Sequence, residues 1–287
     1  MNRRHLLPLR GVLALSALTI LPWRVHGAPQ DSSGLKKALR LRLDVSQTSF
    51  ANWAQGADNS LAYVSGLNLA LSQDLPRAAW VAKAELIFGQ TRLSTKGTRN
   101  TQDKIDLYAQ YTWKSKTLSN PYVSIGLLTQ FAKGYDYRRE PPLLKSDFWD
   151  PAYLMESSGF GLVLTPRLQS KAGAAVKHTF TRNLHRYSDN PNTPERIERV
   201  KVEPGLTART DLNIAVNSNL KFEQTLELFS NLRGLRQTDA RLDNRLEAKV
   251  AKYVSANLSL FLLYDRDQTQ KVQMRQFLGI GFVLDVL

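Results

Sequence analysis

Twelve stretches of this chain alternate apolar with polar residues, as strands do when only one of their faces is apolar. The clearest stretch lies near the C-terminus, where Leu278, Ile280 and Phe282 share one face and Gly279 and Gly281 share the other. Short and long connections between the stretches follow one another in turn. This combination is typical of an antiparallel transmembrane β-barrel with short periplasmic turns and long outer loops. The sequence therefore predicts an all-β fold of about 12 strands.

The predicted connections fall into two groups by length. The short ones, assigned to the periplasmic end, are residues 72–77, 114–121, 166–169, 217–219 and 253–256. Those assigned to the outer end are mostly longer and comprise residues 50–59, 90–103, 132–154, 182–198, 232–240 and 266–271. Twelve strands is an even number, as bacterial single-chain barrels require.

Charged residues lie opposite the apolar face in nearly every predicted strand. This separation fits a lipid-facing exterior, because a lysine or arginine facing lipid at the bilayer midplane costs ~2 to 4 kcal/mol. The exceptions on the apolar face are His178, Gln224 and Asn244. Positive and negative residues on the other face are nearly balanced. The residues expected to line the interior include Arg40, Arg42, Lys83, Glu85, Asp106, Lys201, Arg209, Lys249 and Arg275.

A soluble β-sandwich would also show this alternation, and aromatic residues distinguish the two folds. One aromatic group falls at the predicted periplasmic strand ends and consists of Trp80, Trp113, Tyr122 and Tyr253. A second group falls at the opposite ends and consists of Phe50, Phe131, Phe180 and Tyr264. Two aromatic girdles at the membrane interfaces would explain both groups, which favours the membrane barrel.

The N-terminal segment has the pattern of a cleavable signal peptide. Arg3, Arg4 and Arg10 precede an apolar core, and Val25-His26-Gly27 offers a small-x-small cleavage site before Ala28. We therefore expect a signal peptide at residues 1–27, a short linker at 28–37 and the barrel at 38–287. Export of this kind predicts a location in the outer membrane of a Gram-negative cell, where lipid would surround the barrel.

Composition excludes several other classes. The net charge is +14, but the basic residues are dispersed and form no basic helix or aromatic-basic stripe, so no nucleic-acid partner is expected. The chain has no cysteine, which excludes disulfides, thiolate metal sites and thiol nucleophiles. The sequence predicts no cofactor and no metal site.

Several segments resemble one family of exported proteins. The resemblance lies in residues 49–60, 103–107, 130–135, 146–154 and 275–282, and the Asn52-Trp53 pair is its most specific element. The chain is similar to the family catalogued as domain of unknown function 3078 over most of its mature length. That family is thought to form outer-membrane barrels, and the resemblance implies this fold and location without implying an activity.

The motif residues of two outer loops allow two interpretations each. In the first loop, Asn52, Trp53, Asp58 and Asn59 have the side chains that bind a glycan, but asparagine and aspartate also cap hairpin loops. In the longest loop, Asp147, Trp149 and Asp150 either fold into the interior as a constriction or form a turn. Both choices stay open from sequence.

A narrow passive or weakly selective channel for small solutes is the function that the pattern favours. Twelve strands lie between eight-stranded barrels filled by side chains and the wider barrels that hold an aqueous channel. One alternative is a closed barrel whose outer loops bind a partner or a glycan. Another is a hydrolase using His185, with Asp189 four residues on, although no Gly-x-Ser-x-Gly motif accompanies it. We therefore expect no enzyme activity.

Overall fold

The computed structural model describes residues 34–49, 59–115, 119–165, 167–190, 193, 195–234, 238–265 and 271–287. The predicted signal peptide, Phe50 and three residues of the first-loop motif, Asn52, Trp53 and Asp58, lie outside the described residues. In the part of the chain that is described, no helix is long and apolar enough to cross a membrane.

Twelve antiparallel strands form one closed barrel, as the sequence predicted. They are β1 (Leu35–Thr48), β2 (Ser60–Asp74), β3 (Ala78–Leu93), β4 (Gly97–Trp113), β5 (Ser119–Thr129), β8 (Ala152–Thr165), β9 (Leu168–Phe180), β10 (Val200–Ala215), β11 (Leu220–Asn231), β12 (Thr238–Ala251), β13 (Val254–Tyr264) and β14 (Gln273–Asp285). The strands β6 (Gly134–Asp136) and β7 (Leu143–Ser146) pair with each other in a separate two-stranded sheet. One 3₁₀ turn covers His185–Tyr187.

The barrel closes where β1 pairs with β14. Five residue pairs run from Arg40↔Asp285 to Asp44↔Gly281, while the other edge of β1 pairs with β2 along its whole length. Closure gives every barrel strand a partner on both edges, so the paired backbone N–H and C=O groups need no water. A barrel is one of the two backbone arrangements that meet this requirement inside a bilayer.

The connections divide the barrel into two ends. At the turn end, as we call it, strands are joined by residues 75–77, 114–118, 166–167, 216–219 and 252–253. At the loop end, they are joined by residues 49–59, 94–96, 130–151, 181–199, 232–237 and 265–272. All five predicted short connections are confirmed in position.

Several predicted boundaries differ from the structure, most of all at one connection. The predicted long loop 90–103 is mostly strand, since β3 and β4 extend past a bulge at Gly89 and meet at residues 94–96. Polar side chains support this extension: Tyr63 Oη donates to Gln90 Oε1 at 2.9 Å, and Gln90 Nε2 donates to Asn100 Oδ1 at 2.9 Å. Because neither face of this segment is apolar, its sequence does not alternate between apolar and polar residues, and the prediction relied on that alternation. The barrel also begins at Leu35, within the predicted linker.

The outer wall of the barrel is apolar. Leu278 on β14 is 72 % exposed and Phe282 is 64 % exposed, as expected for side chains that point away from the interior. Of the three polar residues that the sequence places on the apolar face, Gln224 and Asn244 contact each other. Gln224 Nε2 donates a hydrogen bond to Asn244 Oδ1 at 2.7 Å. His178 lies 3.7 Å from Glu156, an outward carboxylate that the sequence analysis missed.

One predicted girdle residue lies on the other face. Tyr122 is 1 % exposed, and the Lys171 ammonium lies 4.8 Å from its ring centroid, so this tyrosine faces the interior. Its assignment to the periplasmic girdle was wrong because it shares the face of Ser124, not of Val123. Gly159 is its partner on β8 and leaves room for the ring.

Two paired glycines allow a close approach of β8 and β9. A Cβ atom on Gly159 would lie 2.2 Å from the carbonyl oxygen of Ala172, and one on Gly173 would lie 2.1 Å from that of Ser158. Both distances are far below van der Waals contact, so only glycine fits at either position.

Candidate functional site: the barrel interior

Two cavities lie inside the barrel and meet at a shared group of residues. The turn-side cavity, of about 440 Å³, includes Arg40, Lys83 and Glu247 in its lining. The loop-side cavity, of about 190 Å³, includes Met155, Lys171 and Phe229. Five residues line both cavities and form what we call the septum: Asp106, Tyr108, Arg209, Glu227 and Arg241.

The septum is held together by ion pairs. Arg209 Nη1 lies 2.5 Å from Glu227 Oε1, and Arg241 Nη2 lies 2.9 Å from Asp106 Oδ2. Arg241 Nη1 also approaches Glu227 Oε2 at 3.6 Å. The Arg209 guanidinium stacks 5.0 Å from the centroid of the Tyr108 ring. Each charge in the septum therefore has a counter-charge, and the septum as a whole is compact and nearly neutral.

Some of these ion pairs connect opposite walls. In the closed strand order, β4 and β12 are six positions apart in either direction, yet Asp106 on β4 contacts Arg241 on β12. Glu85 on β3 contacts Arg245, also on β12, and Lys104 Nζ lies 2.5 Å from Glu85 Oε2. Side chains thus bridge the full width of the barrel. Partly buried pairs of this kind are sensitive to loss of one partner, because the remaining charge is left without a counter-charge.

The nine residues predicted to line the interior fall into two groups. Arg40, Arg42, Lys83, Glu85, Asp106 and Arg209 line the turn-side cavity, whereas Lys201, Lys249 and Arg275 do not line either cavity. Most of the nine contact a counter-charge or an aromatic ring. Arg40 lies 2.8 Å from Glu247, Arg42 lies 2.9 Å from Asp44, Lys201 lies 3.0 Å from Glu203, and Arg275 stacks 5.0 Å from the ring centroid of Phe261.

Sequence reasoning missed two interior residues that form ion pairs, Lys104 and Asp239. Lys104 lies beside the segment predicted as a loop, although it shares the alternation of Asp106 and was detectable from it. Asp239 fell inside a predicted loop, and it lies 2.6 Å from Lys177 Nζ. Both residues reduce the unpaired charge inside the barrel.

The longest loop forms a turn at its end. The backbone N–H of Asp147 donates to the carbonyl of Asp150 at 2.8 Å, and the reverse bond measures 3.0 Å. Trp149 adopts a positive φ of 58° at the tip and is 45 % exposed, while Phe148 is 55 % exposed. Asp147 and Asp150 are therefore turn residues, and neither cavity is lined by residues 130–151. Of the first-loop motif, Asn59 is described, and its carbonyl accepts a bond from Ser94 N–H at 3.0 Å.

The two longest loops are joined by hydrogen bonds. The buried Asp150 carboxylate accepts the backbone N–H groups of Asn183 at 2.7 Å and Leu184 at 3.2 Å. Arg186 donates to the carbonyl of Lys145 at 3.0 Å. Within the β6–β7 hairpin, hydrogen bonds from the Arg138 guanidinium and its backbone N–H lower the pKa of Asp136 to about 2. Hydrogen bonds thus hold the described parts of the two longest loops together at the loop end.

The geometry around His185 does not match a serine hydrolase. The nearest serine in sequence, Ser188, has its hydroxyl 2.5 Å from Thr181 Oγ1 and donates to the Glu198 carbonyl at 2.6 Å. The Asp189 carboxylate accepts the Glu198 N–H at 3.1 Å. Among the described residues, the His185 imidazole makes no hydrogen bond to a serine or an aspartate, so no nucleophile–base pair is assembled here.

Comparison with known proteins supports the predicted resemblance over part of the chain. Residues 45–135 match the model of a family described as protein of unknown function (DUF3078). The resemblance is therefore confirmed for that segment, which includes three of the five motifs on which it was based. No curated protein matches the chain.

Several solved structures are similar to this chain in fold. The translocator domain of the autotransporter NalP from Neisseria meningitidis is 12 % identical over 89 % of this chain and 90 % of its own, with a TM-score of 0.38. An outer-membrane channel from Pseudomonas putida F1 is 11 % identical over 93 % and 99 %, with a TM-score of 0.41. Pseudomonas putida OprB is 9 % identical over 88 % and 94 %, with a TM-score of 0.31. The closed barrel with an apolar exterior itself indicates an outer-membrane location.

Proposed function

We propose that this protein is a narrow outer-membrane channel for small solutes. The main support is that the two cavities are separated by side chains of the barrel wall. The lining residues belong to barrel strands, apart from Asp265 and Leu287, which follow the ends of β13 and β14. A restriction made of side chains can open by rotamer changes without a change in the backbone of the barrel, and the ion pairs of the septum make such opening slow.

The proposal includes orientation and processing. A cleavable leader that ends before Ala28 would deliver the chain to the periplasm, and the loop end would face outward with lipid around the apolar wall. The restriction favours solutes smaller than drug-sized ligands, whose pockets usually have volumes of ~300 to 1,000 Å³. The 190 Å³ loop-side cavity lies below that range.

Widening the septum tests the channel. The double variant Asp106→Ser with Arg241→Ser removes one bridge across the barrel. Because both charges of the pair are removed together, neither one is left behind without its partner. We expect a higher single-channel conductance for this variant than for the wild type in planar bilayers. The matched control replaces Lys221 and Glu223, an ion pair between residues of one strand that bridges no walls, by serine. Equal conductance of the two variants would contradict a septum that limits passage.

A second candidate function rests on the loop end. Phe148 and Trp149 are two exposed aromatic side chains at the tip of an ordered turn, and indole and phenyl rings are common contacts for glycans and protein partners. A closed barrel that displays this tip would bind a partner and conduct no ions. Wild-type protein that binds outer-leaflet glycans, loses this binding in Trp149→Ala and shows no conductance would favour this alternative.

A further inference from the structure

Each cavity contains one lysine without a carboxylate partner. The other cations that line the cavities have an acidic partner within 4 Å among the described residues, as Arg241 has Asp106 and Lys177 has Asp239. In the turn-side cavity the exception is Lys83, which is exposed there and makes no ion pair with any described residue. In the loop-side cavity the exception is Lys171.

Lys171 is held by neutral groups only. Its ammonium donates to Gln110 Oε1 at 2.8 Å and to the hydroxyl of Tyr108. It also lies 4.6 Å from the ring centroid of Tyr108 and 4.8 Å from that of Tyr122. Neutral acceptors and aromatic faces orient an ammonium group without forming an ion pair with it, so Lys171 can still take an anionic group of a solute as its direct partner.

The two lysines lie on the two sides of one septum residue. Tyr108 contacts the Lys171 ammonium, and it is also the direct cross-strand partner of Lys83. The charges of the two lysines are close enough to interact with each other. Arg209 adds a further positive charge next to Lys171, and the carboxylates of Asp211 and Glu227 also act on it without forming an ion pair with it. An anion that dissociates from one lysine would therefore be attracted by the positive charge of the other lysine on the far side of Tyr108.

Apolar side chains in the rest of the loop-side cavity favour a solute with an apolar body. Its lining includes Leu127, Met155, Phe229 and Phe261 beside Lys171. A solute that fills this space needs an apolar body and a single anionic group, because the other cations nearby are already paired. Its size is limited by the 190 Å³ of the cavity.

We propose that Lys171 and Lys83 form a two-step binding path for small monocarboxylates with an apolar body, passing from the loop-side to the turn-side cavity. The inference rests on the proposed channel function and names its solute class. Two weak binding sites, one after the other along the path, suit conduction, because a solute must bind strongly enough to enter and weakly enough to leave. The lysine ammonium is a compact, strongly hydrated charge on a flexible chain, which fits exchange of a carboxylate between two sites.

The test measures benzoate against its neutral analogue benzamide with refolded full-length protein. Reversal potentials in a benzoate gradient give the relative permeability for the anion. We expect Lys171→Gln and Lys83→Gln each to lower the benzoate-to-potassium permeability ratio by about fivefold, the factor for ~1 kcal/mol between charges 4 Å apart in water. The matched control is Lys221→Gln, which removes the same charge from a lysine of the turn-side cavity that is paired with Glu223. Its effect should be smaller.

Calorimetric titration with benzoate gives a second readout that does not depend on conduction. Benzoate should bind the wild type, and the heat should be lost in Lys171→Gln and absent with benzamide. A conducting wild type whose benzoate permeability is equal in all three variants overturns the lysine path and leaves the channel standing. A non-conducting wild type that binds benzoate through Lys171 supports the site and overturns the channel. Absence of both binding and conduction overturns both proposals.

Discussion

The Asp106–Arg241 ion pair offers a direct test of contact between opposite walls. The two side chains are 25 % and 19 % exposed, and their charged atoms are 2.9 Å apart. Removing one partner of a buried ion pair costs ~3 to 5 kcal/mol, because it leaves a charge without its counter-charge. Here the cost should lie near the lower limit of about 3 kcal/mol, since lumenal water reaches part of both groups.

Neighbouring charges reduce the coupling between the two residues without removing it. Arg241 also approaches Glu227 at 3.6 Å, and Asp106 approaches Lys104 at 3.9 Å. We therefore expect a coupling energy of about 1 to 3 kcal/mol in a double-mutant cycle, within the range for residues in one charge network. The double variant should be more stable than the sum of the two single-variant losses implies.

The assay is urea unfolding of the refolded barrel in lipid vesicles. The cycle uses the wild type, Asp106→Ser, Arg241→Ser and the double variant under conditions where unfolding is reversible. Additive losses, within the ~0.5 kcal/mol expected of distant independent sites, would show that the two walls do not touch. That result would refute the bridged interior on which the septum depends.

Three further predictions concern the wall and the orientation. Gly159→Ala should destabilise the barrel by more than about 3 kcal/mol in vesicle unfolding, because its Cβ would meet a backbone oxygen at 2.2 Å. Gly161→Ala, whose Cβ has no neighbour closer than 3.7 Å, is the control, and equal losses would contradict the close approach of β8 and β9. Leu278→Arg should cost ~2 to 4 kcal/mol more than Leu278→Ala if the residue faces lipid, and equal stability of the two would reverse the face assignment. A protease site inserted within 137–142 should be cut on intact cells and one within 216–219 should not; the opposite pattern would invert the topology.

Much of the barrel was predictable because its period-2 pattern is a direct consequence of lipid on one side. The alternation around Leu278 and Leu41 fixed the faces of β14 and β1, and the side of Arg40 and Arg209 followed from it. The extension of β3 and β4 past Gly89 was missed because neither face of that segment is apolar enough to produce the pattern. The inward position of Tyr122 was missed because an interfacial position was assumed for an aromatic residue at a strand end.

The arrangement inside the barrel was beyond sequence reasoning for a different reason. Inward charges can be counted from alternation, but which ones meet depends on the width of the barrel and the relative height of its strands. Asp106 and Arg241 are 135 positions apart in sequence, and no local pattern connects them. The absence of a carboxylate beside Lys171 has the same origin, since it depends on which residues of β4 and β5 face β9 across the lumen.

Ion conductance of the refolded full-length protein in a planar bilayer tests the channel most directly. The recording uses potassium chloride, with a mock-refolded preparation as the control for detergent leakage. Discrete single-channel steps, larger in the Asp106→Ser with Arg241→Ser double variant than in the wild type, are the expected result. Correctly folded barrels that give no steps in either form would contradict the channel.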